Sequence, residues 1–137
     1  MKIQKTKISI LFLTALLLGA CGNSESSESK LSLSDSCVKV KELTPKLAEG
    51  IGKAQDEPNK AKEHIGISRD ALEQMAKINS EDASFNSTTA DYKIKLTAFL
   101  DALETALENG GSLIDPSVTP SRDEARTSGE ALDLLCK

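Results

Sequence analysis

One histidine, His64, and three cysteines, Cys21, Cys37 and Cys136, are the residues of this chain best suited to metal, redox or nucleophilic chemistry. A b-type haem held by His and Met would have to use His64 and Met75, which stand eleven positions apart. On one helix that is about 16 Å along the axis, too far for both to reach a single iron. The Cys-x-x-Cys-His attachment of a c-type haem does not occur, and the Glu-x-x-His pattern of di-iron bundles fails because Ala61 stands three before His64. Any Ser or Cys triad would also depend on His64, and no Gly-x-Ser-x-Gly is present. Acidic residues such as Glu57 and Glu63, or Asp101, Glu104 and Glu108, are interleaved with Lys60, Lys62, Lys93 and Lys95, which is the pattern of a solvated charged face. His64, beside Ile65 at the edge of an apolar stripe, reads as an ordinary boundary residue. The expectation is a protein that is not an enzyme and that carries neither cofactor nor metal.

Cys21 has a different context. Lys2, Lys5 and Lys7 precede thirteen uncharged residues, Ile8 to Ala20, the basic-then-apolar order of a secretory leader. Thirteen residues cannot cross a hydrocarbon layer about 30 Å thick, which takes roughly 20 in helical form. At the end of the run, Leu18-Gly19-Ala20-Cys21 resembles the lipobox of bacterial lipoproteins. The resemblance implies cleavage after Ala20, diacylglycerol on the Cys21 sulfur and further acylation (a palmitate-type chain) of the new amino-terminus. At roughly 0.8 kcal/mol per buried methylene one chain is a marginal anchor and several make a stable one. It also implies a cell-envelope location, and Gly22 in place of Asp after the lipidated cysteine implies the outer membrane of a Gram-negative cell.

With residues 1–20 removed, 117 residues remain, carrying a formal charge of −7 because three of the 17 basic residues leave with the leader. An acidic body argues against nucleic-acid partners. Leu, Ile, Val and Phe make up 24 of those 117 residues, so the core is expected to be thin. Lipid on Cys21 leaves Cys37 and Cys136 as an even pair in an exported protein, where a disulfide forms and persists. Two free buried thiols are the alternative.

Residues 21–31 hold the lipidated cysteine and a Ser- and Glu-rich tether, whose ten residues after Cys21 span about 17 Å as a coil and about twice that when extended. Residues 32–137 form the domain, in which four segments carry apolar residues at spacings of three and four. The first places Leu33, Cys37, Val40, Thr44, Leu47, Ile51 and Ala54 on one face, with Ser32 or Ser34 as cap, and Pro45 either kinks or splits it. The second begins near Pro58 and carries Ala61, Ile65, Ser68, Leu72 and Met75, flanked by Ala71 and Ile78. The third is expected to open on a capping box of Thr88 and Asp91, to carry Tyr92, Leu96, Phe99, Leu103 and Ala106, and to stop at Gly110-Gly111. The fourth is expected to open on Ser121 and Glu124 and to present Ala125, Ser128, Leu132 and Leu135.

The reading is an all-α protein, an antiparallel four-helix bundle closed by Cys37–Cys136 behind a signal peptide and tether. The tether then enters at the disulfide end, and the 80–87 loop is expected to point elsewhere. Leu113, Ile114 and Val118, in the connection before the fourth segment, are either a partner-docking patch or a flap over the thin end of the core. The sequon Asn86-Ser87-Thr88 reads as helix-start chemistry. The function expected is that of a non-catalytic protein-binding or scaffold module, attached to the membrane through lipid, with an envelope or extracellular protein as partner. An immunity or exclusion lipoprotein against a toxin, phage or conjugation apparatus is the alternative. The chain also ends on Lys137, as does the murein lipoprotein, which is tethered to peptidoglycan, but it departs from that protein in lacking an uninterrupted coiled-coil repeat.

Overall fold

Periodic apolar residues become helices where local devices start and stop them, and those of α1, α3 and α4 show how. The computed structural model describes residues 29–137; the leader, Cys21 and all but the end of the tether lie outside the described residues. The fold is all-helical: α1 spans Leu33–Asp56, a single 3₁₀ turn Pro58–Lys60 leads into α2 at Ala61–Ala76, α3 spans Ala83–Glu108 and α4 Thr119–Leu135.

Ser32 caps α1, its hydroxyl oxygen accepting the Asp35 amide at 3.1 Å. The helix runs unbroken through Pro45. Proline removes one helical N–H, but Pro45 and Lys41, whose carbonyl that N–H would have met, are both exposed, where water is available. The buried face is Cys37, Val40, Leu47, Gly50 and Ala54, with Leu43 and Ile51 half-buried. Thr44, expected on this face, is exposed, and its hydroxyl donates back to the Val40 carbonyl at 2.9 Å.

The third helix starts earlier than its capping-box spacing suggests. Asp82, not Thr88, is the cap, its carboxylate accepting the Phe85 amide at 2.8 Å. The extra residues before Thr88 are held because Phe85 and Thr89 face inward, Phe85 with no exposed surface. At the other end Gly110 takes φ +77°, a left-handed conformation that glycine adopts without steric cost. Its N–H donates to the Leu107 carbonyl and that of Gly111 to the Ala106 carbonyl, the paired bonds of a Schellman stop.

The fourth helix likewise does not use its Ser121–Glu124 box. The Asp115 carboxylate accepts the Ser117 N–H and hydroxyl at 2.9 and 2.7 Å, and the Asp115 carbonyl accepts the amides of Val118 and Thr119. That turn delivers the chain into α4 at Thr119, and Glu124 reaches Lys95 of α3 at 3.0 Å instead.

α1 packs chiefly on α2 and α3 on α4, while a smaller α2–α3 interface joins the two pairs. Across that junction Arg69 holds Asp101 and Glu104, each at 2.6 Å. α1 and α4 share no packed interface along their lengths. They are joined at the Cys37–Cys136 disulfide, with Cα atoms 5.3 Å apart and the two cysteines 99 positions apart in sequence.

The placement of the 80–87 region is a correction. Leu31, the last tether residue, donates to the Asn79 carbonyl at 2.9 Å and accepts from the Glu81 amide at 2.8 Å. Asn86 locks the same turn by bonding both the Ser80 amide and the Ser80 carbonyl, at 3.0 and 2.9 Å. The connection after α2 therefore sits where the tether enters the domain. An even number of helix passes returns the chain to the end from which it set out, and residues 83–87 belong to α3 rather than to a loop.

Candidate functional site

The residues named for possible function fall in three separate places. Cys21 lies outside the described residues. Cys37 and Cys136 form the disulfide at the tether end, flanked by a groove of about 510 Å³ lined by Leu33, Val38, Lys41, Leu135 and Lys137. The Lys41 ammonium donates to the Cys136 carbonyl at 3.1 Å, capping the carboxyl end of α4.

Leu113, Ile114 and Val118 are not brought together on one surface. Val118 has no exposed area, Leu113 packs partly buried against the core, and Ile114 alone projects, at 77 % exposure. The reason is the Asp115 turn: it directs Val118 into the core and holds the connection down, with Arg122 donating to the Leu113 carbonyl at 3.4 Å. The connection is a lid over the core with one isoleucine outside it.

His64 is deeper than a boundary residue. It lies 8 % exposed on α2, and neither ring nitrogen has a hydrogen-bond partner. The Glu57 carboxylate lies 3.8 Å from Nε2, beyond hydrogen-bond reach. Among the described residues, no Ser, Thr or Cys side chain is hydrogen-bonded to either ring nitrogen. A buried polar group without a partner costs about 1–3 kcal/mol. His64→Leu, close in volume and free of that cost, is expected to raise the midpoint of chemical denaturation, and a lowered midpoint would show that the imidazole does find a partner in solution.

The electrostatics elsewhere are those of a surface. Lys60 beside Glu57 holds that carboxyl below its usual range, and Lys53 does the same for Glu49. Ser117 lowers Asp115, while burial pushes the Tyr92 phenol up. Burial works against the Arg69 charge, and the bonds to Asp101 and Glu104 outweigh it, holding the guanidinium above its ordinary value. Among the described residues no three His, Cys, Asp or Glu side chains are grouped to hold a metal ion. No described helix is long and apolar enough to cross a membrane.

Besides Ile114, which the sequence singles out, the fold leaves outside three apolar side chains that sequence reasoning passed over: Val38 (53 % exposed), Ile94 (67 %) and Leu134 (66 %). Val38 and Leu134 could have been found by phase, since each lies next to a stripe residue, off the period that buries its neighbours. No family model, no characterised protein and no solved structure matches this chain.

Proposed function

We propose that this chain is a lipid-anchored cell-envelope protein whose helical domain binds a protein partner and performs no catalysis. The observation that carries the reading is Leu18-Gly19-Ala20-Cys21 at the end of thirteen uncharged residues behind three lysines. Cleavage before Cys21 and acylation of its sulfur and amino-terminus would fix the protein to a membrane, the outer membrane by the Gly22 criterion. The disulfide fits an oxidising compartment, and the lone, unpartnered histidine fits a non-catalytic role.

We read the domain as an antiparallel four-helix bundle. Its support is that contacts run in opposite order along α1 and α2, Gly50 lying against the His64 carbonyl and Leu47 bonded to Ser68, and that Cys37, early in α1, meets Cys136 at the end of α4. In that arrangement the tether, the 79–82 turn and the disulfide share one end, and Ile114 marks the other.

Cys21→Ser is expected to move the protein from the membrane to the soluble fraction and to abolish incorporation of labelled palmitate, with the unfolding temperature of the domain unchanged. Retention in the membrane without label would remove the anchor from this reading. Cross-linking of the native protein in its cells, followed by mass spectrometry, then tests the partner. One stoichiometric envelope protein supports a subunit or scaffold, and the absence of any favours an agent met from outside, such as a toxin or phage component.

A further inference from the structure

Resting on the lipid-anchor reading, we propose that the disulfide end of the domain is itself a membrane contact, an apolar edge that settles on the bilayer surface beside the anchor. The chain leaves the domain at Leu31, which is bonded on both sides to the 79–81 turn, so that the exit point is fixed to the domain and does not swing. Nine residues separate Leu31 from Cys21. As a coil they span about 17 Å and fully extended about 30 Å. The far end of the domain is further away by the length of α3, whose 26 residues make about 39 Å. The disulfide end is therefore the part of the domain that a lipidated Cys21 holds nearest to lipid.

That end carries exposed apolar surface. Val38 is 53 % exposed and lines the groove with Leu33, Leu135 and the Cys37–Cys136 bridge, and Leu134 in the adjoining turn of α4 is 66 % exposed. Lys41 and Lys137 rim the same groove. Their stems can lie along apolar surface while the ammonium groups stay at headgroup level. Two exposed aliphatic side chains would not hold a free protein to a membrane. They suffice to orient one already tethered there, because a short linker turns a weak contact into an intramolecular one at high effective concentration. Lipid, rather than a second protein, is the occupant favoured because the tether supplies it at this face continuously.

The chain has no tryptophan, so a single one placed on it is a clean depth probe. Val38→Trp and Leu134→Trp, with Ile114→Trp as the far-end control, are made in the full lipidated chain and reconstituted into phosphatidylcholine vesicles containing lipids brominated just below the headgroups. All three positions are exposed, and unchanged thermal unfolding verifies the fold. The expected result is a blue-shifted emission and loss of most of it by bromine quenching for Val38→Trp and Leu134→Trp, with neither for Ile114→Trp. Vesicle flotation with no quenching at any position overturns the proposal and leaves the anchor standing. A blue shift at Val38→Trp without quenching also overturns it, since a second copy or another protein then covers the face. Quenching at all three positions means the domain lies flat and likewise refutes an edge contact. Failure to float with the vesicles removes the anchor, and the proposal with it.

Discussion

Replacing Cys37 and Cys136 together by serine, or reducing the bond between them, is expected to cost the domain about 4 kcal/mol. A bridge closing a loop of roughly 100 residues restricts the unfolded chain by about 4.7 kcal/mol in the loop-entropy account, and here the two cysteines stand 99 positions apart. Two features of this protein put the loss near that value. The apolar core is thin for the chain length, and domains of this size have only about 5–15 kcal/mol of net stability to lose. The bond is also the junction between α1 and α4, which share no packed interface, so little beyond the exposed Lys41 bond to the Cys136 carbonyl is left to take over its role. At about 4–8 °C per kcal/mol for a domain near 100 residues, the unfolding temperature should fall by roughly 15 °C or more. Thermal unfolding followed by circular dichroism, with and without reductant, measures it. A shift of only a few degrees would mean that the helix interfaces alone hold the fold. Hydrogen exchange gives the spatial check: the last turn of α4 should lose protection first, because Cys37 no longer fixes it to α1.

Much of the fold was legible because its core positions obey a simple period. On α2 every stripe residue from Ala61 to Met75 is buried, and on α3 Leu96, Phe99, Leu103 and Ala106 all face inward, as their spacing demands. The stop at Gly110-Gly111 followed from chemistry that few other residues can supply. What the sequence did not display are decisions between equivalent local signals. Asp82 and Thr88 are both good caps, and the choice of Asp82 rests on Phe85 finding room inside, which depends on elements distant in sequence. Val118 was open to both a patch and a flap reading because its burial is produced by the Asp115 turn, not by any period of its own. His64 looked like a boundary residue because polarity argued for the surface, whereas the closeness of α1 and α2 encloses it. The Leu31 bonds were invisible for a further reason: they are main-chain bonds between segments far apart, and no side-chain pattern encodes them. For the candidate site, the cysteine pair was legible from parity and compartment, while the exposed Val38 and Leu134 emerge only when the buried neighbours are known.

The second large effect is expected at Gly50, and a glycine two residues away supplies its control. Gly50 is buried where α1 meets α2, and its missing side chain is what lets the two backbones approach. A β-carbon at that position would lie 2.6 Å from the His64 carbonyl oxygen and 2.8 Å from the Ser68 nitrogen, besides overlapping the Ser68 hydroxyl. The first two are main-chain atoms of α2 and cannot turn aside. The hydroxyl is also engaged, donating to the Leu47 carbonyl at 2.8 Å inside the protein. Gly50→Ala must therefore push the helices apart, loosening the largest interface in the domain and stretching that buried bond. Overpacking of this kind costs about 1–3 kcal/mol and occasionally more. The roughly 1 kcal/mol that alanine gains over glycine inside a helix offsets only part of it, so with contacts this close a net loss of up to about 2 kcal/mol is expected. Gly52 is on the exposed side of the same helix with nothing within 4 Å of the position a β-carbon would take. There only the helix preference acts, and Gly52→Ala should stabilise by about 0.5–1 kcal/mol. The same substitution thus carries opposite signs at two positions of one helix. Urea denaturation of the two variants beside the parent decides the matter: a Gly50→Ala midpoint at or above that of the parent would mean that α1 and α2 stand further apart in solution than the close Gly50–Ser68 approach requires.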